Sequence, residues 1–110
     1  MNTKELLSRY AAGQRDFRNL NLMAANLRNL NLSGANLSGA NLTKANLTKT
    51  NLSHANLTDA VLTGANFTET NLTKANLTNA TLSDVNLSHA YLRGTILIGN
   101  HPSLPTLESA

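Results

Sequence analysis

Few side chains in this chain are equipped for chemistry. Three histidines, His54, His89 and His101, offer imidazole nitrogens to a metal or a proton transfer. Asp16, Asp59, Glu69 and Asp84 are the carboxylates in the regular part of the sequence, and two of them side by side would make a general acid–base pair. Serine and threonine are abundant, and any of them beside a histidine base would be a candidate nucleophile. Cysteine is absent, which excludes disulfides, thiolate ligands and thiol catalysis. Whether the remaining groups meet depends on the elements that carry them.

Those elements are set by a repeat. The stretch SGANLSGANLTKANLTKTNL, residues 33 to 52, has a period of five, which is neither helical nor that of a plain strand. Aligned in fives, the register holds without slippage from Arg15 to Gly99, 85 of the 110 residues. Its centres are Phe17, Leu22, Leu27, Leu32, Leu37, Leu42, Leu47, Leu52, Leu57, Leu62, Phe67, Leu72, Leu77, Leu82, Leu87, Leu92 and Leu97. Two residues before most centres stands a small side chain, usually Ala, with Thr at 50, 70 and 95, and between the two lies a polar residue, mostly Asn. Ala, Asn and Leu thus alternate in, out, in, and the centres form the expected core.

The two residues after each centre are polar. Five of the six glycines fall in the second of these slots, together with Asn, Asp and His, residue types that tolerate a left-handed backbone. Lys44, Lys49, Lys74, Glu69 and Ala24 occupy the same slot, which predicts a mixture of two turn types, only one with positive φ. A short extended piece and a bend, repeated with every centre inward, must wind into a coil whose backbone pairs with the coils above and below. The expected fold class is an all-β solenoid.

The A-N-L-S/T-x pattern resembles the pentapeptide-repeat family. That resemblance implies a right-handed quadrilateral β-helix with four repeats, about twenty residues, per turn and about four coils. At strand spacing this is a rod roughly 20 Å long. Residues twenty apart should then be neighbours: Val61 with Thr81, Thr50 with Thr70, Lys49 with Glu69.

Solenoid ends must be blocked. Asn2 with Glu5 has the form of a capping box, and Leu6, Leu7, Tyr10 and Ala11 make an apolar stripe ending at Gly13, so a helix over residues 3 to 12 is expected to close the first coil. The expected organisation is a capping helix within 1–14, a β-helix over 15–99 and a tail over 100–110. The LLxRYAAGxRDF lead-in is similar to that of cyanobacterial members of the family, which implies a cyanobacterial source. At the other end Tyr91, Ile96 and Ile98 stand in outward slots, Pro102 and Pro105 end regular structure, and Leu104 and Leu107 remain to be buried. Either the tail folds back over Ile96 and Ile98 or two rods meet there. Both alternatives stay open, the second because the resemblance implies family members that dimerise through this end.

With this frame the chemistry thins out. The histidines fall on different faces or in the tail, no two acids share a column, and the column neighbours of His54 are Gly34 and Lys74. No catalytic residues, metal site or cofactor site are expected, and the glycines follow the repeat rather than a phosphate loop. The many N-L-S and N-L-T sequons are a by-product of the repeat. The N-terminus lacks the apolar core of a secretory signal and no apolar run approaches about 18 residues, so a soluble cytoplasmic protein with no membrane partner is expected.

Three function classes remain. A stiff rod with polar faces and no pocket suits protein binding or scaffolding. The resemblance also implies a second class, a DNA mimic that binds DNA gyrase. Such members are acidic along the rod, whereas residues 15–99 here carry seven basic and four acidic side chains. Few aromatics interleave the basic residues Lys4, Arg9, Arg15, Arg18 and Arg28, which disfavours nucleic acid as a partner. The third class, an enzyme, has no constellation behind it.

Overall fold

The computed structural model describes residues 1–100. Repeats pair by one parallel bridge with the repeat twenty residues on, from Asp16 to Ile96, with a single gap at Asn66 and Asn86 among the described residues. Down one face Asp16 pairs with Asn36, Asn36 with Asn56, Asn56 with Asn76, and Asn76 with Ile96. Four repeats therefore complete a coil. Bends recur too often for a strand to extend past a single bridge, yet the ladder bonds are short: Leu57 N–H donates to Asn76 C=O at 2.8 Å and Asn76 N–H to Ala55 C=O at 2.9 Å. The twenty-residue stacking brings Val61 onto Thr81 and sets Lys49 Nζ 3.9 Å from the Glu69 carboxylate. It also gives Thr50 and Thr70 the same buried bond one coil apart, their hydroxyls donating to Leu27 and Leu47 C=O.

The core is a column of centres with small side chains between them. Phe17, Phe67 and the leucines from Leu22 to Leu87 are buried, while Leu92 and Leu97 in the last coil are half-buried. The Ala slot has to be small because two inward side chains per repeat share the narrow interior. Leu20 and Leu30 break that rule in the first coil, where they are half-buried at the end of the stack.

The turns correct the sequence expectation. Every turn slot except His89 has positive φ, including Ala24 at 57°, Lys44 at 58°, Lys49 at 58°, Glu69 at 55° and Lys74 at 58°. The reason lies between coils. The peptide inside each turn pairs with its counterpart in the next coil, as when Lys44 N–H donates to Thr63 C=O and Gly64 N–H to Ser83 C=O. One peptide orientation satisfies that column, and the residue after it must turn left-handed whatever its type. Residue identity then decides only how much this costs, about 1 to 2 kcal/mol for an L-residue with a Cβ. Gly39 carries a second constraint, because a Cβ there would collide with Asn19 Oδ1.

The recurring Asn has a role that its outward position conceals. Its Oδ1 accepts the backbone N–H two residues on, 3.1 Å for Asn41 to Thr43 and 3.0 Å for Asn71 to Thr73, so it caps the bend. At Thr43, Thr48, Thr68 and Thr78 the hydroxyl donates to the same oxygen.

The helix α1, Thr3–Ala11, closes the first coil. Leu6 is fully buried, Tyr10 hydroxyl donates to Ser33 C=O at 2.7 Å, and Thr3 Oγ1 donates to Asn26 C=O. The apolar stripe is narrower than expected, since Leu7 and Ala11 are exposed. The capping box is only half formed: Asn2 Oδ1 accepts from Glu5 N–H at 2.8 Å, while the Glu5 carboxylate faces Arg9 at 3.5 Å. Leu104, Leu107 and the rest of the predicted tail beyond Asn100 lie outside the described residues.

Candidate functional site

The coil geometry scatters the predicted chemistry-bearing residues, apart from Asp84 and His89, which line one cleft. His54 is exposed at a corner between Gly34 and Lys74 in its column, His89 is exposed one face away, and His101 lies outside the described residues. Among the described residues no group of three or more His, Cys, Asp or Glu could hold a metal ion. Of the carboxylates, Asp16 and Glu69 serve as local ion-pair partners. Asp16 accepts Arg18 Nε at 2.9 Å and Arg18 Nη2 at 3.0 Å; the side-chain bond first, then the Arg18 backbone N–H, hold its carboxyl below the usual aspartate range. The same bond raises the Arg18 guanidinium. Both groups are fully exposed, so the pair organises the first turn and contributes little to stability. Arg15 stacks 3.6 Å above the Tyr10 ring and donates to Tyr10 C=O, a fixed role in the helix junction.

The predicted apolar surface is present in the last described coil. Tyr91, Ile96 and Ile98 are 56%, 40% and 65% exposed, on two adjoining faces. Tyr91 and Ile96 occupy slots that carry Asn one coil earlier, at Asn71 and Asn76, so each gives up the bend-capping oxygen for an exposed apolar group. Beside them Asn100, only 5% exposed, donates through Nδ2 to Leu77 C=O at 2.9 Å and Ala80 C=O at 2.8 Å. Asn100 sits in the Ala column and plugs the coil interior; its register, twenty after Ala80, is the signal that could have identified it.

The expectation of a rod without a pocket needs correction. A cleft of about 240 Å³ opens on one face, lined by residues 64–68 of one coil with Asp84, Asn86 and His89 of the next. Higher on this face the ladder is complete, with Leu47 N–H donating to Asn66 C=O at 2.8 Å and Asn66 N–H to Ala45 C=O at 2.9 Å. At the cleft the equivalent bonds between Phe67 and Asn86, and between Asn86 and Ala65, are absent among the described residues, as is the Asn66–Asn86 bridge. The neighbouring turn has slipped: Glu69 N–H donates to His89 C=O at 2.9 Å instead of to Ser88, and His89 is the one turn residue without positive φ. Phe67 stands where this column otherwise has Leu27, Leu47 and Leu87, and Val85 where it has Ala25, Ala45 and Ala65. Both are buried beside the opened ladder, where their extra volume has to be fitted between the coils.

No helix among the described residues is long and apolar enough to cross a membrane. No curated protein matches the chain. Several solved structures do. HetL, a pentapeptide repeat protein involved in heterocyst differentiation regulation from the cyanobacterium Nostoc, is 38% identical over 79% of this chain and 47% of its own, with a TM-score of 0.49. A second pentapeptide repeat protein from Nostoc is 36% identical over 86% of this chain and 74% of its own, TM-score 0.50. One from the cyanobacterium Cyanothece is 39% identical over 77% and 61%, TM-score 0.43. The chain thus spans about half the length of HetL and three quarters of the second Nostoc protein. The family model for pentapeptide repeats matches residues 21–59 and 60–99. With the five-residue register, the twenty-residue stacking and these matches together, the chain belongs to the pentapeptide-repeat family.

Proposed function

We propose that this chain is a non-enzymatic protein-interaction module, a right-handed quadrilateral β-helix over 15–99 that works in the cytoplasm and docks through its last coil. The observation that carries the reading is that Tyr91, Ile96 and Ile98 are exposed together on adjoining faces of one coil, whereas the other exposed large hydrophobic in the repeats, Met23, stands alone. Among the described residues only Asp84 and His89 share a cleft, with no nucleophile or metal-binding group assigned beside them, so the enzyme reading is not favoured. The gyrase-binding reading is disfavoured by charge, seven basic against four acidic side chains over 15–99. The docked surface is either another protein or a second copy of this chain.

Light scattering and affinity capture from a cyanobacterial lysate, run on the parent and on the Ile96→Ser/Ile98→Ser variant, test this. The expected result is a dimer or a specific captured protein for the parent, lost in the variant while its melting curve is kept. A monomeric parent whose captured material is the same as the variant's would overturn the reading.

A further inference from the structure

We propose that the open seam between Phe67 and Asn86 is a binding site for a small carboxamide. The argument starts from what a closed seam would contain. In the ladder of this face each interval holds two bonds of opposite sense, one N–H and one C=O on each lip. At Phe67 and Asn86 both bonds are missing, and Ala65, Phe67 and Asn86, whose C=O, N–H and both backbone groups would have made them, line a cleft of about 240 Å³. Each lip therefore presents a donor beside an acceptor, and backbone groups of this kind need partners. Water fills the site by default, bridging each pair.

A carboxamide is the small group that supplies a donor and an acceptor in one rigid plane, so it can replace such waters without leaving a backbone group unmatched. The rim narrows the class further. Asp84 lines the cleft and has no ion pair or hydrogen bond among the described residues, so it can take the outer N–H of a primary amide and repel a carboxylate. His89 borders the same opening. The volume lies below the roughly 300 Å³ where pockets for larger ligands begin, which limits the occupant to a carboxamide on a short arm. This inference is independent of docking through the last coil, which involves other residues.

The test uses the whole chain, with propionamide as the probe and propionate as the charged control, followed by amide NMR. The expected result is saturable shifts at the amides of Phe67, Asn86 and His89 with the amide probe, at a dissociation constant on the order of 1 mM. The control should give none. The Phe67→Leu/Val85→Ala variant restores the side chains that the same columns carry elsewhere, so it should fold, close the seam and lose the response. Its amide at position 67 should then exchange as slowly as that of Leu47. The proposal is overturned if the parent shows no saturable shift, if the variant or the carboxylate control responds equally, or if Phe67 and Asn86 in the parent already exchange as slowly as Leu47 and Asn66.

Discussion

At the scale of single residues, the backbone dihedral of the turn slot sets much of what a substitution does. Ala24, at a φ of 57°, meets the left-handed cost with no compensating side-chain bond. Ala24→Gly removes a penalty of about 1 to 2 kcal/mol and gives back roughly 0.5 to 1 in chain entropy, so urea melts should show a net gain of about 0.5 to 1 kcal/mol. Gly39→Ala acts in the opposite direction, because it adds the same strain and pushes aside Asn19 Oδ1; a loss of about 1 to 3 kcal/mol is expected in the same assay. Asp16 supplies a pH prediction. Its folded pKa lies below the unfolded one, so the Arg18 pair contributes stability above the unfolded value and loses it as pH falls through the folded value. An NMR titration should find Asp16 below the ordinary aspartate value in the parent and returned toward it in Arg18→Ala. The slot itself was legible in the sequence from its glycines and asparagines. The uniform dihedral was not, because Lys44 and Glu69 argue locally against it and the bond that decides it comes from a residue about twenty positions away.

At the scale of the repeat and the capping helix, burial dominates. Leu57 is fully buried near mid-rod, and Leu57→Ala should lower stability by about 2 to 5 kcal/mol in a thermal or urea melt, since the neighbouring coils can collapse onto the gap only partly. A melt equal to the parent's would contradict an inward Leu57. The centres and the small slot were readable because alternation has a fixed consequence for side-chain direction. The bend-capping role of Asn was hidden in plain view: N-L-S and N-L-T place an acceptor two residues before an orphan N–H, a signal present in the sequence but obscured by reading Asn only as an outward polar residue. In the helix, the spacing of Leu6 and Tyr10 identified the buried edge, whereas Leu7 and Ala11 were over-counted because one coil end offers a narrow surface. The oversized Phe67 and Val85, in two columns of one face, were visible in the sequence, but the opening of the ladder beside them depends on packing that only the folded coil shows.

At the scale of the whole molecule, a quasi-one-dimensional stack gains stability from neighbours and is exposed at its ends. The N-terminal end is closed by α1 through Leu6, Tyr10 and Thr3. The last described coil instead shows Tyr91, Ile96 and Ile98 outward, and this asymmetry is why the functional reading centres there. All of this rests on four repeats per coil, and Val61 and Thr81 make that count testable, being the only Val and Thr in slots otherwise dominated by Asn. The decisive measurement is a set of nuclear Overhauser contacts from Val61 in the labelled chain. Stacking at twenty residues predicts contacts to Asn41 and Thr81, the two residues it bridges. Contacts to residue 76 or 86 in their place, the neighbours that a coil of three or five repeats would supply, would contradict the account.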